Sequence, residues 1–335
     1  MTRFIIVGGG IAGARAAETI RSLRGDDAVT IVSEEERPFY MRPLLADFVA
    51  GRLSDRDLWT GFEATAASKN ITILSGRKVT GLDYRHDRRV VLDNGENLPY
   101  DMLLIASGLK PALPRIPGAD LEGVTTFYTY ADAVKVKAWA ETAKTAVVIG
   151  RGLPALELTR ALRKRDLEVT LLVPDDKPWL LPLFDTKEED IERVLLQHEV
   201  NVATLDVSIA IEGAGGAAKV VRTREGRELP ADIVGIASDQ RASVSFLDGT
   251  DIAVEEGVMV DAHLRTADER IFAAGDVAQI QLQSHHRALG YGWVRAGSQG
   301  EAAARNMCGE RVTVAPGDEY VAESLYGTSL AARWR

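Results

Sequence analysis

The sequence predicts an α/β protein that contains two Rossmann-type β-α-β units. Three observations carry that prediction. A glycine fingerprint at Gly8, Gly10 and Gly13 follows an apolar run and opens a helical pattern. A second one, Gly150-Arg151-Gly152-Leu153-Pro154-Ala155, does the same in mid-chain. The length of 335 residues is that of about two domains.

The first unit begins with Phe4 to Val7, an apolar run short enough for a buried strand. Ala14 to Leu23 is rich in Ala, Arg and Glu and predicts a helix. Ala28 to Val32 is the β-branched returning strand of a parallel pair. Each glycine has a physical task. Gly8 allows the tight turn out of the strand, Gly10 lets a pyrophosphate approach the backbone, and Gly13 lets helix and strand pack closely. The helix N-terminus offers N–H groups and a partial positive charge to that pyrophosphate, and Ile11 and Ala12, between the glycines, are expected among the residues that bind it. Glu34 follows about 20 positions after Gly13, where an acid can accept from ribose hydroxyls.

The second unit repeats the pattern with one change. Ala146 to Ile149 predicts a strand, Leu156 to Lys164 a helix and Glu168 to Val173 the returning strand. Val173-Pro174 stand where the ribose acid is expected, with Asp175-Asp176 one step later. Two readings stay open: a nucleotide site with an altered ribose end, or a relic that keeps the turn without the ligand. Two further strands run into small-residue turns. Tyr100 to Ile105 exits through Ala106-Ser107-Gly108, and Thr266 to Ala274 exits through Gly275-Asp276.

Composition excludes several classes. A net charge of −9 argues against nucleic acid as a partner. No apolar stretch reaches the roughly 18 residues of a membrane span. The run Phe4–Val7 is too short for a signal-peptide core, so a cytoplasmic protein is expected. Cys308 is the only cysteine, which excludes an internal disulfide, a redox cysteine pair and a multi-thiolate metal site. A packed thiol is its simplest role. No metal site is expected, because the five histidines take no ligand spacing, and His285-His286 suit a loop. The basic clusters at Arg85–Arg89 and Arg160–Arg165 are most simply solvated faces, with a docking patch for an acidic protein as the alternative.

Together these motifs resemble the pyridine nucleotide–disulfide oxidoreductase superfamily, whose members carry two dinucleotide-binding domains. The order matches: first fingerprint, Ile105-Ala106-Ser107-Gly108, second fingerprint, Ala274-Gly275-Asp276. The segment Phe39-Tyr40-Met41-Arg42-Pro43-Leu44-Leu45 resembles one found in rubredoxin and ferredoxin reductases and in the flavin portion of NADH-dependent nitrite reductases. The resemblance implies an FAD-binding domain from residues 1–110 and 242–310, with an NAD(P)-binding domain at 111–241 inserted into it. Residues 311–335 would be the remnant of a C-terminal interface domain, so the flavin edge near Trp293 is expected to be open or capped by another chain, with Tyr320, Leu325, Tyr326 and Trp334 at that contact, or else covered by the tail of its own monomer. It further implies that Asp276 holds the FAD ribityl chain, that Glu35, Arg42, Pro43, Val79 and Trp293 lie on the FAD side, and that Glu157 is the acid near the flavin. The chain departs from the pattern at Ala46-Asp47, where Ser-Lys is usual, and at Ser238-Asp239-Gln240-Arg241-Ala242, where a glycine is missing.

The resulting expectation is hydride transfer from NAD(P)H to FAD, then onward to a redox protein, partner subunit or diffusible acceptor. Homodimerisation is compatible with it. Two alternatives stand beside it: an FAD-containing electron-transfer subunit that no longer uses NAD(P)H, and a non-redox FAD-dependent binding protein.

Overall fold

The computed structural model describes residues 1–37, 39–174, 188–237, 240–281, 287–289, 292–314, 321–325 and 328–332. Asp175-Asp176, Ser238-Asp239, His285-His286, Tyr320, Tyr326 and Trp334 lie outside them. The elements of the two main sheets and their principal helices are, in chain order, β1 (Arg3–Val7), α1 (Ile11–Leu23), β2 (Ala28–Ser33), α2 (Leu45–Val49), β3 (Ile71–Ser75), β4 (Met102–Ile105), β5 (Val124–Thr126), α3 (Tyr130–Trp139), β6 (Thr145–Gly150), α4 (Leu153–Arg163), β7 (Glu168–Leu172), β8 (Val200–Ala203), β9 (Ile233–Ala237), β10 (Ile271–Ala273) and α5 (Trp293–Met307).

They fall into two compact units. The first comprises Met1–Tyr40, Trp59–Lys110 and Arg241–Gly317, and the second Met41–Leu58, Pro111–Gln240 and Asp318–Arg335. In the first unit a parallel sheet runs β10-β4-β1-β2-β3. β1 lies at its centre and pairs on both sides, Val7 opposite Val32 and Ile105. A strand covered in this way reads as an unbroken apolar run, as Phe4–Val7 does. The core around it includes Phe4, Ile6, Ile20, Ile31, Leu103, Leu104 and Ile105, all nearly without exposure.

α1 and α5 pack along faces of small residues. A Cβ added at Gly300 would stand 2.1 Å from the Ala12 carbonyl oxygen, and one at Gly297 3.3 Å from Ile11 Cγ1. The two backbones therefore approach more closely than any side chain at Gly300 allows. This unit also holds a three-stranded antiparallel sheet, Val79–Asp83, Arg89–Leu92 and Asn97–Pro99, and a small sheet of Val258–Val260, Ala278–Gln281 and Arg287–Leu289.

The second unit repeats the parallel plan, with order β8-β7-β6-β9-β5. α4 buries Ala155, Leu156, Leu158, Thr159, Ala161 and Leu162, the inward stripe of an amphipathic helix. α3 begins with a capping box. Thr129 Oγ1 accepts from the Asp132 N–H at 3.2 Å, and the Asp132 carboxylate accepts from the Thr129 N–H at 3.0 Å. An antiparallel hairpin, Val321–Leu325 with Thr328–Ala332, lies in the short tail.

The structure corrects three boundaries. Residues 41–58 were expected with the first unit and belong to the second. Contacts within that unit explain why. Asp47 pairs with Arg160 at 3.0 Å, and the Phe48 ring lies 5.8 Å from that of Tyr130. Lys137 Nζ sits 3.8 Å from the Phe48 ring centre, and Tyr130 donates to Asp55 at 2.6 Å. The other two corrections are the starts of α1 and α4, at Ile11 and Leu153 rather than Ala14 and Leu156. In both helices the fingerprint itself forms the first turn, and Pro154 there is a residue suited to a helix start.

Asp232 ties the strand starts of the second unit together. Its carboxylate accepts from Lys219 Nζ at 2.7 Å, and from the backbone N–H groups of Lys144 and Thr145 at 3.0 and 3.2 Å. Lys219 and those N–H groups hold its pKa down at about 2. The folded value lies below the ordinary one, so the stabilisation is present above the normal carboxylate range and is lost as pH falls from about 4 towards 2. Asp232→Asn should cost about 1–2 kcal/mol at pH 7. Urea denaturation of apoprotein should show that difference narrowing below about pH 4. A constant difference across that range would contradict this role.

Candidate functional site

The first fingerprint forms a backbone cradle. The Gly8 N–H donates to the Val32 carbonyl at 2.8 Å, and the Ala106 N–H to that of Val7 at 2.8 Å, so three strand exits are held side by side. Gly8 has φ +121°, and a Cβ there would stand 2.1 Å from the Ala106 oxygen. Its absence is required both by the backbone conformation and by a neighbouring chain. A Cβ at Gly13 would stand 2.1 Å from the Gly8 oxygen, the close helix–strand packing expected of it. At Gly10 a Cβ would meet nothing within 4 Å. Nothing in the protein forbids a side chain there, so the space suits a ligand. Gly10 is the N-cap of α1 and no side chain caps the helix, which leaves its first N–H groups directed at that space.

The acids after β2 take separate partners. Glu34 is paired with Lys110 Nζ, and Glu35 accepts from the Tyr40 hydroxyl at 2.9 Å. Ser107 Oγ, in the loop after β4, is buried with no hydrogen-bond partner, the kind of unmatched atom that a ligand oxygen could satisfy. Asp276 Oδ1 accepts from the Gly292 N–H at 3.3 Å. Trp293 begins α5 and stacks on Phe39, with centroids 5.7 Å apart and planes at 8°. Val79 is buried at the start of its strand.

In the second unit Gly150 is required in a similar way. A Cβ would lie 2.6 Å from the Ala237 oxygen and 2.8 Å from Ala155 Cβ. Gly152 is the N-cap of α4, again with no capping side chain, and Leu153 and Pro154 form its first turn. Glu157 stands half-buried on α4, at the next turn. Val173 is buried, and its N–H donates to the Ala203 carbonyl at 2.8 Å, so an apolar side chain stands just past the end of β7. Arg42 and Pro43 belong to this unit. The Arg42 guanidinium lies 4.2 Å from the Tyr128 ring centre and donates to the Tyr128 carbonyl.

Four residues escaped the sequence reading. Gly9 is needed because a Cβ would stand 2.7 Å from Ser33 Oγ, and the run of three glycines was the available signal. Lys110 and Tyr40 hold the two acids, and nothing in their spacing announced it. Gln299 is fully buried on α5, and its Oε1 accepts from the Gly275 N–H. Its signal was a lone amide among Ala296, Gly297, Gly300 and Ala303. Cys308 is half-buried, and burial pushes its thiol pKa up, which keeps it in the unreactive form.

The first unit fits FAD. It offers an open cradle at Gly10, uncapped helix N–H groups, carboxylates after β2 and an unmatched hydroxyl at Ser107. Among the described residues, no group of three or more His, Cys, Asp or Glu is placed to hold a metal ion, and no helix is long and apolar enough to cross a membrane.

A family model described as pyridine nucleotide-disulphide oxidoreductase matches residues 2–292. Rhodocoxin reductase of Rhodococcus erythropolis is 31% identical over 279 residues, which cover 83% of this chain and 65% of that protein. The NAD(P)H nitrite reductase of Bacillus subtilis (strain 168) is 30% identical over 318 residues, 92% of this chain and 37% of its own. The chain thus spans less than two thirds of the length of either relative. Among solved structures, the covalent putidaredoxin reductase–putidaredoxin complex matches with a TM-score of 0.90 over 98% of this chain and 80% of that one. At 23% identity this is a likeness of fold.

Gly10→Val and Gly8→Ala should separate binding from folding. A Cβ at Gly10 meets no described atom within 4 Å, so the apoprotein should melt within a few degrees of the parent while FAD affinity falls roughly a hundredfold, about 2.7 kcal/mol. Gly8→Ala should instead lower the melting temperature of the apoprotein itself, because backbone lies where its Cβ must go. Flavin fluorescence titration and thermal melts read the two effects. Unimpaired FAD binding by Gly10→Val would remove the cradle from the site.

Proposed function

Because the chain belongs to the pyridine nucleotide-disulphide oxidoreductase family, we propose that it is a cytoplasmic FAD-dependent NAD(P)H oxidoreductase that hands electrons to a redox protein, a partner subunit or a diffusible acceptor. The observation that carries this reading is the open space at Gly10, facing the uncapped start of α1. In this reading the first-turn N–H groups from Ile11 onward hold the FAD pyrophosphate. Glu34 and Glu35 serve the adenosine ribose, with Lys110 and Tyr40 fixing their orientation. Ser107 and Asp276 meet the ribityl stretch, and Val79 and Trp293 contribute to the FAD side.

The second fingerprint, Gly150 to Ala155, receives the nicotinamide dinucleotide at the start of α4, and Glu157 is the acid that meets its reactive end. Bound FAD supplies the exchange between hydride transfer and electron delivery. The protein contributes position, exclusion of water and fixed charge, and orientation alone lowers such barriers by several kcal/mol. A sole cysteine, half-buried and with a raised pKa, provides no thiol relay, so electrons leave the flavin directly. Rhodocoxin reductase is named for reducing rhodocoxin, and putidaredoxin reductase is seen joined to putidaredoxin. Both support a protein acceptor.

One observation favours a second reading, that of an electron-transfer subunit without its own use of NAD(P)H: Val173 stands where the ribose acid is expected. Anaerobic mixing with NADH and with NADPH decides. Both coenzymes should bleach the flavin with little preference, since Val173 neither accepts from a 2′-hydroxyl nor repels a 2′-phosphate. Val173→Glu should shift the ratio towards NADH by about tenfold, roughly 1.4 kcal/mol. If neither coenzyme reduces the flavin of the parent protein, the electron-transfer subunit takes its place.

A further inference from the structure

Gln299 is 0% exposed. Its Oε1 accepts from the Gly275 N–H at 2.8 Å, and that contact decides which end of the amide is which. Reversing the group would set two donors face to face. The Nε2 end therefore carries the donors, and among the described residues it has no acceptor. A buried donor left unmatched bears the full cost of its lost hydration, so folded proteins retain few of them.

Its surroundings indicate where the missing acceptor belongs. Gly275, with φ +81°, packs so closely on α1 that a Cβ there would stand 3.1 Å from Ala12 Cβ. Gly300, next to Gln299, abuts the Ala12 carbonyl in the same way. Ala12 lies in the first turn of α1, beside the open space at Gly10. Ser107 Oγ is another of the several buried polar atoms of this unit, Tyr100 Oη among them, that lack a partner among the described residues. The Ser107 nitrogen lies 2.9 Å from where a Gly8 Cβ would be. Two unmatched groups thus flank one cradle, approached from α5 on one side and from the β4 exit on the other.

We propose that Gln299 is an FAD-binding residue: its Nε2 donates to an oxygen of the pyrophosphate–ribityl stretch, while its Oε1 holds the Gly275-Asp276 turn in place. One side chain thereby links the shape of that turn to occupancy of the cradle. The inference rests on the first unit being an FAD site. It adds a donor from α5 to those supplied by α1.

Gln299→Glu tests it, because Glu keeps an acceptor for the Gly275 N–H and exchanges only the donor for a carboxylate oxygen. Titration of FAD into apoprotein, followed by flavin fluorescence, should show affinity at pH 8 about 30-fold weaker than the parent's. The loss should shrink as pH falls and the carboxyl regains a proton to donate. The melting temperature of the apoprotein should change far less than that of the FAD complex. Gln299→Met, of similar volume, should bind FAD about tenfold more weakly at every pH, and it decides the matter if the Glu variant does not fold. FAD affinities within threefold of the parent, with the apoprotein itself destabilised, would assign Gln299 to the fold alone and overturn the inference. A parent apoprotein that takes up no FAD would overturn the reading of the unit, and this inference with it.

Discussion

Much of the first unit depends on how closely three backbones approach one another around Gly8. Its N–H reaches the end of β2, the Ala106 carbonyl lies where its Cβ would be, and Gly13 comes down on its own carbonyl from α1. No side chain intervenes at these points. The start of the helix therefore lies directly above the exits of the central strands. A looser turn would place the α1 N–H groups away from the acids after β2 and the hydroxyl after β4. The same economy of side chains recurs between α1 and α5, where Gly300 touches Ala12, so that the Gly275-Asp276 turn and Gln299 reach the same place.

The second unit uses the same device with different surroundings. Gly150 is pressed between Ala237 and Ala155, and α4 starts uncapped after Gly152. Val173 covers the end of β7, and segment 41–58 is held by the Asp47–Arg160 ion pair, the Tyr130–Asp55 hydrogen bond and the packing of Tyr130 and Lys137 on Phe48. Asp47 faces Arg160, so its charge is committed to a contact inside the unit.

What could be read from the sequence followed the locality of the interactions. The glycines, the β-branched strands and the order of the two fingerprints are short-range patterns, and the parallel sheets with their helices follow from them. The starts of α1 and α4 were placed three residues late because glycine and proline there weigh against a helix on propensity, whereas at a first turn they are acceptable. The placement of residues 41–58 was illegible for another reason. Phe48, Tyr130, Lys137 and Arg160 are separated by up to about a hundred positions, and no local pattern joins them. Lys110, Tyr40 and Gln299 were missed likewise, since each is defined by what it touches.

The discontinuity of the first unit has a consequence for biosynthesis. β4 is complete once residue 105 has been made, but its outer neighbour β10 begins only at Ile271, and α5, which packs on α1, ends at Met307. At ordinary rates of elongation the ribosome takes on the order of ten seconds or more to span that gap. During that interval the free edge of β4 and the small-residue face of α1 stand uncovered, the state in which strands pair wrongly and chaperones engage. The parallel sheet of the second unit, contiguous from β5 to β9, has all its strands available first. The nascent chain therefore closes its later-numbered sheet before its earlier one.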